Sequence, residues 1–290
     1  MKTRKLLACL CGAASFAAAA PSMAYTVKVD EFRVSKGTNP GMFLDAFDDG
    51  NPPPNNPMYT PATPFAYIVG PAGATVGPES GGRLLLDGTG AQLGYTPTGL
   101  PRLVQTVLLN TNTSNSDNPA DPSYNYGLKK WHDFTVSGQF DFYSPAPGES
   151  YGIRVGDSGI GLDDRLMLAV INSGGASAIG FFDQDYAAHT QSFVGGLAPV
   201  ALPSGGFDQI RLMLAHAANS SDVAASWVLL SGGSVVGGGA WGATGAIFSN
   251  ENFARAEFLA AAPVPEPGTW AMLLAGLTAL GAMGRRRSRG

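Results

Sequence analysis

Cysteine is nearly absent from this sequence. The chain of 290 residues has two cysteines, Cys9 and Cys11, and both lie within the first 24 residues. A disulfide-stabilised scaffold is therefore excluded for everything that follows Cys11, and so is a cysteine-based metal site. We expect the stability of the rest of the chain to come from an ordinary hydrophobic core.

Positive charge is also scarce. Residues 25–264 carry 11 lysines and arginines against 21 aspartates and glutamates, which gives a formal charge of −10. So acidic a chain is a poor partner for nucleic acid or for anionic lipid. We therefore expect no nucleic-acid partner. Cations and neutral glycans suit this charge better.

Motifs of known enzyme classes are absent or lack their structural context. Residues 148–152 fit G-x-S-x-G, but a proline turn precedes Ser150 and a strand follows it, whereas a nucleophile elbow needs a strand and then a helix. Residues 237–242 fit G-x-G-x-x-G, but no helical pattern follows, so we interpret them as a glycine-rich β-turn. The E-x-D-x-x-E run of laminarinase-like glycoside hydrolases does not occur. We expect a protein that is not an enzyme.

The first 24 residues are typical of a secretory signal peptide. Lys2, Arg4 and Lys5 form a charged start, residues 6–20 are apolar, and Ser22 and Ala24 are the small residues that a signal peptidase requires. We expect export by the Sec machinery and cleavage by signal peptidase before Tyr25. The sequence thus predicts a signal peptide at 1–24, one domain at 25–263 and a further segment at 264–290.

The domain shows the period-two alternation of β-strands. The clearest strand lies at residues 132–142, and residues 151–155 alternate as well. Because a proline turn at residues 145–148 separates these two segments, we predict that they form a hairpin. Further strands are predicted at residues 165–171, 178–182, 209–214, 223–230 and 254–258. Turns are predicted at residues 172–175 and 231–233, which contain the glycine pairs Gly174-Gly175 and Gly232-Gly233.

Near the start of the domain the alternation changes parity. Val27 and Val29 share one parity, whereas Phe32 and Val34 share the other. An extra residue between the two pairs would keep all four side chains on the same face of a sheet. The pattern therefore predicts a β-bulge between Val29 and Phe32.

Many short strands separated by Gly, Pro, Asn and Ser, without helical periodicity, predict an all-β fold: an antiparallel β-sandwich or jelly roll. The strand order from Phe134 through residues 152–155 to residues 209–212 is similar to that of concanavalin/laminin-G-like sandwiches. An immunoglobulin-type sandwich is the alternative, but its cysteine pair is missing. We expect the sandwich to be flanked by an N-terminal signal helix and a C-terminal transmembrane helix.

One acidic loop is a candidate calcium site. Residues 156–164 place Asp157, Asp163 and Asp164 in a glycine-rich turn. Calcium takes about six to eight oxygen ligands from carboxylates and backbone carbonyls, and such a loop can supply them. The alternative is a solvated acidic turn, since Asp and Gly are also ordinary turn residues.

Aromatic residues beside polar loops are candidates for glycan binding, because sugar rings stack on exposed aromatic rings. Tyr124 and Tyr126 flank Asn125 next to an asparagine-rich loop and are the best candidates. Trp131 opens a strand and could serve either the core or a ligand. Trp241 is a further candidate, whereas Trp227 lies within an apolar strand and is expected in the core.

Residues 264–290 combine three features in a fixed order. The motif Pro265-Glu266-Pro267 comes first, a nearly uncharged apolar run follows at residues 268–284, and Arg285, Arg286, Arg287 and Arg289 close the segment. As a helix the apolar run would rise about 25 Å, against a hydrocarbon core of roughly 30 Å. The positive-inside rule would place the arginines on the cytoplasmic side.

This segment resembles the PEP-CTERM sorting signal of bacterial surface proteins that are processed by an exosortase. The resemblance implies that the apolar run holds the chain in the inner membrane until the exosortase, a membrane cysteine protease, cuts near the Pro-Glu-Pro motif. A plain transmembrane anchor that is never cleaved is the alternative.

The resemblance also implies a setting. An exported protein of this kind is transiently anchored in the inner membrane and then reaches the cell envelope, the surface or the extracellular matrix. We expect a non-enzymatic structural or glycan-binding module linked to exopolysaccharide and biofilm. The alternative is a secreted polysaccharide-acting hydrolase with an unrecognised site.

Overall fold

A computed structural model describes residues 25–36, 39–50, 65–70, 76–86, 92–95, 101–111, 128–157, 164–185, 188–249 and 252–264. The predicted signal peptide and the segment from Pro265 onward lie outside these residues. Both remain predictions, and so do the two flanking helices. No helix within the described ranges is long and apolar enough to cross a membrane.

The described residues form strands almost throughout, as the alternating pattern predicted. A short 3₁₀ turn lies at Val194–Gly196. The strands are β1 Val27–Lys36, β2 Asn39–Asp45, β3 Phe65–Gly70, β4 Leu84–Leu86, β5 Gln92–Tyr95, β6 Pro101–Thr111, β7 Leu128–Lys129, β8 Phe134–Asp141, β9 Ser150–Asp157, β10 Asp164–Ser173, β11 Ala176–Asp185, β12 Thr190–Phe193, β13 Val200–Ala201, β14 Gln209–His216, β15 Asp222–Ser231, β16 Ser234–Ala240, β17 Gly245–Ala246 and β18 Phe253–Pro263.

The strands pair into two antiparallel sheets. In the described part of the chain the eight-stranded sheet has the order β16-β15-β14-β8-β1-β2, with β17 on β15 and β4 on β1. The ten-stranded sheet has the order β12-β11-β10-β9-β18-β6-β3, with β13 on β11, β5 on β6 and β7 on β18. The predicted all-β antiparallel fold is confirmed.

The two sheets pack face to face around one apolar core. The rings of Phe32 and Phe258, from opposite sheets, have centroids 5.0 Å apart, and those of Phe140 and Tyr151 are 5.4 Å apart. All four side chains are fully buried. Inward residues of both sheets join a single hydrophobic cluster. Such packing is that of a β-sandwich.

Two predicted tight connections are present. The β10–β11 hairpin turns at Gly174 and Gly175, with φ values of 61° and 92°. The β15–β16 hairpin turns at Gly232 and Gly233, with φ values of 55° and 80°. Two-residue hairpins of this kind need positive φ at both central positions, which glycine adopts without steric cost.

The predicted hairpin of β8 with β9 is wrong. Strand β8 pairs with β1 and β14, whereas β9 pairs with β10 and β18 in the other sheet. The connection therefore crosses from one sheet to the other. Pro145 and Pro147 have no N–H group to donate to a ladder, which prevents the segment from continuing β8. The hydroxyl of Tyr151 holds the crossing by donating to the carbonyl of Tyr143 at 2.9 Å.

The interpretation of residues 237–242 as a β-turn is also wrong. Residues 237–240 are the second half of strand β16, at the edge of the eight-stranded sheet. Glycine is needed at Gly239, because a Cβ there would lie 2.6 Å from the ring of Trp227. The glycines thus let the edge strand lie flat against a core tryptophan.

Candidate functional site

The predicted bulge in β1 is present and re-aims an acidic side chain. Val29 pairs with Phe140 and Glu31 with Gln139, so Asp30 is an extra residue without a counterpart on β8. A bulge of this kind turns a side chain to the other face of a sheet. As a result Asp30 lies on the outer face of the eight-stranded sheet, together with Glu31.

Asp30 belongs to a network of polar side chains on that outer face, which we name the polar platform. The ladder between β8 and β14 places Gln139 opposite Arg211 and Asp141 opposite Gln209. The alternate residues of both strands, among them Phe140 and Ile210, point into the core. The platform consists of Asp30, Arg83, Gln139, Asp141, Gln209 and Arg211.

Two side-chain amides tie the platform together. Gln139 donates to Asp30 and to Gln209 Oε1, the latter at 3.1 Å, and accepts from Arg211 Nε at 3.0 Å. Gln209 donates to Asp30 Oδ2 at 3.3 Å and to Asp141 Oδ1 at 3.1 Å. The bonds join three adjacent strands, so each amide is held in one orientation.

Arg83 bridges the two carboxylates. Its Nε lies 3.0 Å from Asp141 Oδ1, and its Nη1 contacts Asp30 Oδ1 and the carbonyl of Gly82. Burial raises the pKa of Asp30; the Arg83 guanidinium opposes that rise, and the neighbouring carboxylate of Asp141 adds to it. Two carboxylates are thus held on one face by a shared cation.

Part of the platform is exposed to solvent. Side chains of Arg83 and Asp141 remain 30% and 34% exposed. Within the described part of the chain, Asp141 Oδ2, Arg83 Nη2 and Arg211 Nη1 make no hydrogen bond, whereas the other ends of the same side chains are fixed. The arrangement presents one carboxylate acceptor and two guanidinium donors in set positions, which lowers the entropy cost of binding a polar ligand.

The sequence contained part of this site. The outward positions of β8 and β14 were visible as the polar half of each alternation. What joins them is a register between strands about 70 residues apart, together with Arg83 from the turn before β4. No local pattern encodes that register, and sequence reasoning did not find the platform.

The predicted glycan-binding aromatics have different positions. Trp131 lies in the turn between β7 and β8 and is half-buried; Lys129 Nζ is 5.4 Å from its ring centroid, in a cation–π contact. Tyr124 and Tyr126 lie outside the described residues. Trp227 is in the core, as expected. Trp241 is also buried and donates from Nε1 to the carbonyl of Val194 at 3.0 Å, so it is not available to a ligand.

The predicted calcium residues fall between the end of β9 and the start of β10 in the sequence. Asp157 ends β9 and Asp164 begins β10, but the side chains of both and the whole of Asp163 lie outside the described residues. No group of three His, Cys, Asp or Glu side chains that could hold a metal occurs within the described ranges. The calcium site remains a prediction.

The serine of the G-x-S-x-G match begins strand β9, and no helix follows it. Glu149, the residue before it, accepts hydrogen bonds from the Tyr143 hydroxyl at 2.6 Å and from the Ala146 amide at 2.8 Å. Burial, and then the bond to Glu149, raise the pKa of the Tyr143 hydroxyl. This carboxylate therefore orders the sheet-crossing connection, and Ser150 is not placed on a nucleophile elbow.

Comparison with solved structures finds distant likenesses, two of which are a lectin and a glucanase. The metal-free form of lectin I-B4 from Griffonia simplicifolia is 9% identical, with a TM-score of 0.34 over 70% of this chain and 87% of the lectin chain. A beta-1,3-glucanase from Mycobacterium marinum is 12% identical, with a TM-score of 0.31 over 69% and 83%. Neither score is high enough to establish a shared fold or function. No curated protein matches the chain significantly.

The C-terminal segment matches a known family of sorting motifs. The match covers residues 263–287, which include Pro265, Glu266, Pro267 and three of the four arginines, Arg289 lying beyond it. The expected order of motif, apolar run and basic end is therefore recognised as that of a known signal. The chain carries a PEP-CTERM protein-sorting motif, the mark of an exported protein that an exosortase processes.

Proposed function

We propose that this protein is exported, cut by an exosortase and retained at the cell envelope or in the extracellular matrix, where it binds neutral polysaccharide without acting on it. The sorting motif at residues 263–287 supports the export. The polar platform supports the binding and is the observation that carries this proposal.

The chemistry of the platform suits a ligand rich in hydroxyl groups. A sugar hydroxyl can donate to Asp141 Oδ2 and accept from Arg83 Nη2 or Arg211 Nη1, because a hydroxyl is both donor and acceptor. Anionic polymers are disfavoured, since the domain has a formal charge of −10. A neutral glycan meets no such repulsion.

The affinity of one platform should be low. A hydrogen bond contributes about 0.5–1.5 kcal/mol net, and more when one partner is charged. Three or four bonds, less the cost of association, give a dissociation constant near 1 mM, for which the free energy of binding is about −4 kcal/mol. Weak sites of this kind retain a protein only when many copies bind one polymer.

Co-sedimentation of the exported protein with the producer's purified polysaccharide tests the proposal. Asp141→Asn should reduce retention several-fold, because it removes the charge of the outward acceptor while preserving the shape of the side chain. Asp222→Asn is the matched control, an exposed aspartate at the start of β15 in the same sheet, and should leave retention unchanged. The melting temperature of both variants should stay close to that of the wild type.

The same assay separates the platform from the aromatic candidates. Tyr124→Ala combined with Tyr126→Ala should reduce retention if those rings stack on sugar, as the sequence predicts. Reduction by the tyrosine pair and not by Asp141→Asn would move the binding site away from the platform. Absence of retention in the wild type would overturn glycan binding altogether.

One observation favours a second candidate, a polysaccharide hydrolase. Asp30 and Asp141 lie on one sheet face, and burial raises the pKa of Asp30, as a general acid requires. Against this, Arg83 contacts both carboxylates, and its guanidinium opposes the rise in the pKa of Asp30. Release of reducing sugar by the wild type, abolished in Asp30→Asn, would establish the hydrolase in place of the binding module.

A further inference from the structure

Strand β16 is an exposed edge of the eight-stranded sheet. It pairs with β15 along one side, and no described strand pairs with its other side. Val235 and Val236 on this strand are 69% and 54% exposed, more than any other large hydrophobic residue described. An edge strand offers a row of unpaired N–H and C=O groups to another chain.

Half of this edge lacks the usual protection against pairing. No charged residue occurs between Asp222 and Glu251, so β16 has no lysine or glutamate along it, and it has no proline. The irregularity in its pairing lies opposite Leu229 and Leu230; from Gly237 to Ala240 the ladder with β15 is regular. Natural edges are usually blocked by charge, proline or a disruptive bulge, and the regular half of this strand has none of them.

An apolar groove borders the strand and extends the exposed surface. Its volume is about 440 Å³, and no charged side chain lines it. Val200, Leu202 and Phe207 form one side, and Val236, Gly237 and Gly238 form the other. The edge and the groove together form a neutral surface on a domain of formal charge −10.

We propose that β16 pairs antiparallel with β16 of a second copy of this chain, so that the two eight-stranded sheets become one. Charge restricts the surface on which two copies of this chain can meet. Two acidic copies repel each other over most of their surface, and the repulsion is smallest where both partners are uncharged. An antiparallel pair of identical strands is also self-complementary, as an interface with two-fold symmetry requires.

The pairing has a consequence for the polar platform. A two-fold axis perpendicular to the joined sheet places both outer faces on the same side, so two platforms would share one continuous surface. Linked sites of low affinity bind a polymer far more tightly than one site does. This consequence rests on the proposed glycan binding, whereas the pairing itself does not.

Sedimentation of the exported protein tests the pairing directly. The wild type should form a dimer, and Val235→Lys should raise the dissociation constant about tenfold or more, because a charge on the edge blocks strand addition. Leu44→Lys is the matched control, since Leu44 is 37% exposed on β2 at the opposite edge of the same sheet. Dimerisation of the wild type should strengthen as salt is raised to about 0.3 M, since screening reduces the repulsion between acidic copies.

Cross-linking identifies the strand without depending on affinity. In the exported protein, Val235→Cys should give a disulfide-linked dimer under mild oxidation, and Leu44→Cys should give none. A monomer at all concentrations, or equal cross-linking at both edges, would overturn the proposal. Absence of glycan retention in a wild-type protein that dimerises through β16 would count against the platform and not against the pairing.

Discussion

Arg154 and Glu257 form a bidentate ion pair on adjacent strands of the ten-stranded sheet. Nε lies 2.7 Å from Oε1 and Nη2 lies 2.7 Å from Oε2, while Arg165 Nη1 approaches Oε1 at 3.3 Å. Burial alone would raise the pKa of Glu257, but the two guanidinium groups together outweigh it and hold that pKa below its ordinary value. The carboxylate is therefore ionised in the folded protein.

Glu257→Gln should strongly destabilise the fold, because it leaves Arg154 buried without its counter-charge. Removal of one partner of a buried pair typically costs about 3–5 kcal/mol. Urea unfolding at neutral pH measures the effect. Glu31→Gln is the control: Glu31 pairs with Arg33 at 3.2 Å on a more exposed surface, where an ion pair contributes about 0–1 kcal/mol.

The same pair predicts a loss of stability in acid. The folded-state pKa of Glu257 is lowered, so its contribution is present above the unfolded-state pKa and is lost as the pH falls through the folded-state pKa. The wild type should therefore lose more stability than Glu257→Gln on acidification. Equal losses would show that other carboxylates account for the acid sensitivity.

Glu79 should contribute to stability with the opposite pH dependence. Burial, followed by the nearby carboxyl groups of Asp49 and Asp45, raises its pKa to about 7. A raised folded-state pKa means that the stabilisation is complete below the ordinary value of 4.5 and is lost as the pH rises through about 7. Glu79→Gln should therefore be more stable than the wild type at alkaline pH, with little difference in acid, as measured by thermal unfolding across that range. A constant difference at every pH would refute the titration of Glu79.

A side chain at position 152 should overlap with the neighbouring strand, because Gly152 packs closely against β10. A Cβ at this position would lie against the carbonyl oxygen of Leu168 and 2.7 Å from Ala169 Cα, both on the neighbouring strand β10. Gly152→Ala should destabilise the protein by about 1–3 kcal/mol, since the backbone must move to relieve the overlap. Gly205→Ala, where nothing lies within 4 Å of the added carbon, should be close to neutral in the same unfolding assay.

The sorting motif predicts two cleavages. Intact-mass analysis of envelope and medium fractions should find a protein without residues 1–24 and without the apolar run at residues 268–284. Replacement of Pro265, Glu266 and Pro267 by alanine should leave an uncleaved form in the inner membrane. A main species of the wild type that still ends in Gly290 would contradict processing by an exosortase.

Calcium binding can be tested by its effect on the thermal stability of the protein. If Asp157, Asp163 and Asp164 hold an ion, binding to the folded state raises the melting temperature by mass action. The melting temperature should rise with calcium and fall with a chelator, and Asp163→Ala should abolish the difference. Identical melting curves under both conditions would leave these residues as a solvated acidic turn.

Structural features that depend on residues close together in the chain were predicted correctly. The parity change between Val29 and Phe32 identified the bulge in β1, because side chains alternate strictly along a strand. The turn before Ala176 was predicted as well, because paired glycines satisfy the positive φ of a tight hairpin. The C-terminal sorting motif was recognised from residue order alone.

One prediction that failed concerned two strands close in sequence. Alternation on both sides of the Pro145–Pro147 turn suggested a hairpin, but periodicity shows only that each segment is a strand. It does not show which sheet the strand joins. In the structure the chain crosses over, so Phe140 and Tyr151 contact each other from opposite sheets in the core.

By itself, the sequence determined the all-β class, the bulge, the glycine hairpins and the sorting motif, because each depends on the conformations of residues close together in the chain. Tertiary structure alone decided that Asp30, Arg83, Asp141 and Gln209 meet on one face, and that β16 lies at an edge. Those facts depend on which distant strands pair and in what register. Many core residues scattered along the chain fix that choice together by burying the most apolar surface, and no short segment contains it.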